Sequence, residues 1–117
     1  IEVFLSGPGL ENYFEFITKN YLSSKEIIAL YRTKEKQAVS IMNVYFERAA
    51  RALSTVVNIL DPDVIVCGGG MSEIDEIYNE IPKRIVPYLA SDFFHTPIVK
   101  ALHGSSSGVR GAALLWD

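Results

Sequence analysis

Cysteine is nearly absent from this chain. Its one cysteine, Cys67, has no partner within the chain for a disulfide, which fits a reducing cytoplasm. With only two histidines, His95 and His103, the chain also lacks any Cys/His cluster at the spacing of a zinc site. An excess of positive charge is missing too. Eleven Lys and Arg stand against fourteen Asp and Glu, a net charge of −3, so there is no footing for nucleic-acid binding. No apolar run is long enough to span a bilayer, and the opening residues do not read as a secretory leader. What remains, 49% hydrophobic and 21% charged over 117 residues, is the composition of a globular domain or part of one. The chain opens at Ile1 without a methionine and reads as a piece of something longer.

The most informative stretch is LDPDVIVCGGGMS, residues 60–72. Pro62 stops a helix, because it lacks an N–H and pushes the preceding residue out of the α region. Residues 64–67 are a short apolar run rich in β-branched side chains, as in a strand buried on both faces. Gly68, Gly69 and Gly70 follow without a spacer. Glycine lets the backbone enter positive φ and approach a ligand with no Cβ between them. A helix is expected after Ser72, with Ser72 as its N-cap. Strand, glycine turn and helix N-terminus in that order form a seat for an anion. Such turns also serve tight packing alone, and this one matches neither a Walker loop nor a dinucleotide fingerprint.

The rest of the chain supplies a scaffold. Leu10, Tyr13, Phe14, Ile17 and Tyr21 fall on one helical face after the turn Gly7-Pro8-Gly9. A short helix is expected near residues 26–31 and a long one over 34–60. In the long one Val39, Met42, Phe46, Ala49, Leu53, Val56 and Leu60 recur three and four apart. That stripe is too short for a coiled coil and fits helix packing inside an α/β domain. A further helix is expected over 74–89, interrupted or ended near Pro82 and Pro87. A second strand is expected over 97–102 and a last helix over 107–116. Two strands joined by helices predict a parallel α/β sheet, yet two are too few to bury so many apolar helix faces.

Three segments, taken together, carry a resemblance. LDPDVIVCGGGMS is similar to the adenosine-side motif of the ROK family, which groups bacterial sugar kinases with sugar-responsive repressors. IEVFLSGPG, residues 1–9, resembles the segment that follows that family's zinc-binding cysteine cluster. HGSSSGVRGAALLW, residues 103–116, resembles its final loop and helix. The matches lie in the family's order and span the whole chain, and within the family the chain is most similar to the bacterial fructokinases, or manno(fructo)kinases.

This resemblance implies a ribonuclease H-like, actin-like ATPase architecture. Residues 1–117 would form the C-terminal part of its second domain, and the first domain and the zinc segment would lie upstream. It implies ATP and magnesium as cofactors, zinc in the upstream segment, a hexose substrate, fructose foremost, and a cytoplasmic location. Other hexoses, including glucose, mannose and N-acetylglucosamine, are the alternative, as is a sugar-sensing repressor. Gly68, Gly69 and Gly70 would lie against the nucleotide. Glu2 matches the family's glutamate one residue beyond the last zinc cysteine and would accept hydrogen bonds from sugar hydroxyls. The general-base aspartate would lie upstream, so the chain would hold no catalytic residue and no metal ligand, and alone would be inactive. A second copy of the chain, as in a homodimer, is a candidate partner for its exposed surface. Ser105 departs from the family, which commonly carries an acidic residue after the His-Gly pair. Ser106 or Ser107 is expected to cap the last helix, Arg110 to form a surface ion pair, and His95 and His103 to be structural or exposed. Cys67 is expected to pack as a small hydrophobe.

Overall fold

Four strands run side by side in one direction. A computed structural model describes residues 1–101 and the backbone of 112–114. In it β1 (Glu2–Leu5), β2 (Ile65–Gly68), β3 (Ile98–Lys100) and β4 (Ala112–Leu114) form a parallel sheet in the order β3-β2-β1-β4. The sheet therefore has two strands more than the sequence predicts. The first of these, β1, alternates cleanly: Val3 and Leu5 are fully buried, whereas Glu2 and Phe4 point to the opposite, partly open face. A glutamate in so short a run hides that alternation. The strand nonetheless takes the central place, pairing Val3 with Cys67 on one side and with Ala112 on the other. Residues 112–114 thus correct the expected last helix: they satisfy the open hydrogen-bonding edge of β1. The other readings placed on that segment, at His103, Ser105, Ser106, Ser107 and Arg110, lie outside the described residues.

Among the described residues four helices pack on one another and share an apolar core with the sheet. The first, α1 (Pro8–Thr18), begins on a proline whose missing N–H costs nothing there, and it ends at Lys19 in the left-handed conformation. That ending leaves Tyr21, expected on its apolar face, outside the helix and 58% exposed. At the start of α2 (Ser24–Arg32) lies a capping box. Ser23 accepts from the Glu26 N–H at 3.3 Å, and the Glu26 carboxylate accepts from the Ser23 N–H at 3.0 Å. The long α3 (Lys36–Leu60) is capped by Glu35, which accepts from the N–H groups of Gln37 and Ala38.

The stripe on α3 buries Met42, Phe46, Ala49 and Leu53 as its spacing predicts, but Leu60 at its end is 59% exposed. Because α3 packs on α1, α2 and α4 (Ile77–Ile85) at once, it is a domain helix and not half of a coiled coil. In α4 the fully buried Ile77, Ile81 and Ile85 recur every fourth residue and carry the helix through Pro82. The chain tightens to a 3-10 turn, Val86–Tyr88, only at Pro87.

One apolar cluster unites these parts. Val3, Leu5, Ile65 and Cys67 of the sheet meet Met42, Phe46 and Leu53 of α3 and the three isoleucines of α4. Cys67 is the small hydrophobe expected of it, and burial pushes its thiol up to about 12. Cross-strand register puts Glu2, Val66 and Val99 on the other face of the sheet. That face is less well covered by the described residues, and Val99 is 42% exposed. Among the described residues no helix is long and apolar enough to cross a membrane.

Leu53 lies at the centre of this packing, fully buried. Leu53→Ala is expected to lower the unfolding free energy of the intact protein by about 2–5 kcal/mol, read from urea midpoints at constant slope.

Candidate functional site

The three glycines at the exit of β2 do different things. Gly68 is the last residue of the strand, paired with Phe4. Gly69 has φ +90°, where side chains are strained, and a Cβ there would lie 2.5 Å from the Leu5 carbonyl oxygen. Its glycine is therefore demanded by the neighbouring strand, whatever else the loop does. Gly70 is exposed, and a Cβ there would meet nothing within 4 Å. Of the three, it is the glycine that faces open space.

The expected helix N-terminus does not follow directly. Residues Gly70–Glu73 form a 3-10 turn, and α4 begins only at Ile77. Ser72 is correspondingly not a helix cap. It is buried, and its hydroxyl donates to the Gly69 carbonyl at 2.6 Å, as its N–H does at 3.1 Å. Tyr78 then donates to the Ser72 carbonyl at 2.6 Å. These bonds fold the chain tightly behind the glycines and hold Gly70 forward. The first N–H groups of a short 3-10 turn have no acceptor within it, so the turn itself can present donors to an anion.

Gly70 lies on the rim of a cavity of about 620 Å³ between α2 and the segment after β2. Gly7, Glu11 and Ser24 line one part, Ile28, Met71 and Ile74 the apolar part, and Arg32 a further part. Glu11 is well held: its carboxylate accepts from the Ser24 N–H and hydroxyl, both at 2.8 Å, and from the Tyr21 hydroxyl at 3.1 Å. Burial alone would raise its pKa, but these hydrogen bonds outweigh burial and keep the carboxyl below its ordinary range. The cavity thus combines an apolar slot with fixed polar groups at the carboxyl ends of parallel strands, where open α/β sheets bind ligands.

Glu2 is not brought to this cavity. It opens β1 opposite Val66, two residues below the Phe4–Gly68 pair, about 7 Å down the strand. Its Oε2 atom is shut off from solvent and has no hydrogen-bond partner among the described residues. A carboxylate oxygen in that state is costly unless a donor reaches it. Sugar hydroxyls are donors of the required kind. The Ser6 hydroxyl, just beyond β1, is in the same condition. Ser6 went unnoticed in the sequence because a serine before a Gly-Pro-Gly turn looks like ordinary loop.

The ROK family pattern matches residues 1–117. The chain belongs to the ROK family. It is 39% identical over 99% of its length to the N-acetyl-D-glucosamine kinase of Haemophilus influenzae, and 42% identical over 98% to that of Photobacterium profundum. It spans 38% of the length of each. Its fold matches a ROK hexokinase from Thermus thermophilus with a TM-score of 0.74 at 20% identity, covering 88% of this chain and 35% of that one. It also matches a ROK family glucokinase from Streptomyces griseus, solved with glucose and AMPPNP, with a TM-score of 0.64 at 22% identity, covering 87% of this chain and 35% of that one. The parallel α/β architecture is therefore that of ROK sugar kinase structures.

Among the described residues no group of three or more His, Cys, Asp or Glu side chains is placed to hold a metal ion. The one cysteine, Cys67, is fully buried in the core, and burial raises its pKa.

The division of labour among the glycines is measurable through stability. Gly69→Ala is expected to cost about 2 kcal/mol or more in chemical unfolding of the intact protein, from positive φ plus the clash with Leu5. An unchanged midpoint would contradict the close approach of the β2 exit to β1.

Proposed function

We propose that this chain forms part of an ATP-dependent sugar kinase of the ROK family and contributes to it a nucleotide seat and one sugar contact. The observation that carries this reading is the pairing of an open glycine, Gly70, with a cavity at the carboxyl end of the parallel sheet. The apolar slot of Ile28, Met71 and Ile74 suits a nucleobase, and the N–H groups at the start of the 3-10 turn suit its phosphates. Gly70 would sit closest to the ligand, and Gly68 and Gly69 would fix the path of the backbone. Magnesium would arrive with the nucleotide and neutralise phosphate charge. Glu2 would accept hydrogen bonds from sugar hydroxyls and so orient the acceptor oxygen toward the γ-phosphoryl group. No aspartate of this chain is assigned as general base.

For the sugar, the relatives favour N-acetylglucosamine. Fructose was the foremost expectation from sequence, but the curated relatives named above are N-acetyl-D-glucosamine kinases over nearly the whole chain. An amide-bearing hexose also has one more polar group to recognise, which a site can use to discriminate strongly.

Phosphotransfer by the intact protein tests these assignments together. N-acetylglucosamine is expected to give a higher kcat/KM than glucose, mannose or fructose. Glu2→Gln should lower kcat/KM for the sugar by about 10- to 100-fold, as loss of a charge-assisted hydrogen bond, while the KM for ATP holds. Gly70→Ala should raise the KM for ATP about tenfold with stability unchanged within about 0.5 kcal/mol. A preference for fructose would return the substrate to the first expectation, and absence of turnover on every hexose would overturn the kinase reading.

A further inference from the structure

Arg32 lines two cavities at once, and Glu76 holds it there. The guanidinium grips the carboxylate with two bonds, Nε to Oε2 at 2.9 Å and one terminal nitrogen to Oε1 at 3.0 Å. The pair ties the last turn of α2 to the residue just before α4. Ser24, at the first turn of α2, lies beside Gly7 and Glu11, and Arg32 is eight residues on, about 12 Å along the helix. Arg32 therefore ends the groove that begins at the glycine turn. A second cavity of about 750 Å³ is lined by Arg32 and Glu76 together with Tyr31, Lys34, Val39 and Asn43. Arg32 is the residue that lines both spaces, and Glu76, which holds it, lines the second.

We propose that Arg32, held in place by Glu76, is the end wall of the nucleotide pocket and sets how large a base the pocket admits. This inference rests on the nucleotide reading of Gly70. With the phosphates at the turn, the base runs along Ile28 and Ile74, and its outer edge meets the Arg32 guanidinium that Glu76 fixes. The fork geometry matters, because two parallel N–H···O bonds fix the plane of the guanidinium as well as its position. Holding the pair costs the fold little, since it is partly solvated and its loss leaves no buried charge behind. Arg32→Ala is consequently expected to fold.

The test compares binding of ATP and of N6-benzyl-ATP, by titration calorimetry, to the intact protein. The unsubstituted protein should bind ATP and strongly disfavour the enlarged base. Arg32→Ala should weaken ATP about threefold and admit the benzyl group into the second cavity, so that the preference for ATP falls at least tenfold. The exchanged double variant, Arg32→Glu with Glu76→Arg, should restore the preference. An unchanged preference in Arg32→Ala, with ATP still bound, overturns the wall and leaves the nucleotide reading standing. A double variant as permissive as Arg32→Ala overturns the claim that the ion pair holds the wall in place. Failure of the unsubstituted protein to bind ATP overturns the nucleotide reading and this inference with it.

Discussion

The backbone leaving β2 passes so close to β1 that one methyl group on Gly69 would strike the Leu5 carbonyl. Much of the site follows from that approach. It forces positive φ at Gly69 and turns the chain sharply at the end of the strand. It then throws Gly70 forward into the open, with Ser72 and Tyr78 bracing the turn from behind. The close contact is possible because β1 and β2 are parallel neighbours in register, which brings their carboxyl ends out on one edge. That edge faces the groove along α2. A local steric limit between two strands is thereby converted into a platform of bare backbone beside a cavity.

The sheet also divides the chain's work between its faces. On one face Val3, Leu5, Ile65 and Cys67 feed the helical core that holds the strands in place. On the other lies Glu2, with a carboxylate oxygen that is enclosed yet unsatisfied among the described residues. Parallel sheets normally have both faces covered, and the described residues leave this face less well covered than the other. The alternation of β1 thus places a packing residue and a candidate recognition residue next to each other in sequence and on opposite sides in space.

The helical scaffold was legible because helices leave long periodic signals. The stripe through Met42, Phe46, Ala49 and Leu53 marked the buried face of α3, and the β-branched run before Gly68 marked β2. What escaped was set by partners distant in sequence. Nothing local in Glu2–Leu5 announces a central strand, since its pairing residues lie some sixty and a hundred positions away. The same holds for 112–114, whose glycine- and alanine-rich surroundings suggest a helix until β1 offers an open edge. Ser72 looked like a cap because serine is favoured at the start of a helix, and an amphipathic stretch follows it. The buried carbonyl of Gly69 claimed its hydroxyl instead. The triple glycine was visible as a motif, but only the geometry separates Gly69, required by packing, from Gly70, free for a ligand. The two ends of the Arg32–Glu76 pair lie 44 residues apart, and sequence spacing carries no trace of it.

The central claim is that the turn after β2 and the groove along α2 hold the nucleotide. The most direct measurement is a crystal structure of the intact protein with a non-hydrolysable ATP analogue and N-acetylglucosamine. The account predicts phosphates against the backbone of Gly70, the base between Ile28 and Ile74, and a sugar hydroxyl on the Glu2 carboxylate. A nucleotide bound elsewhere, with Gly70 still facing solvent, would contradict it.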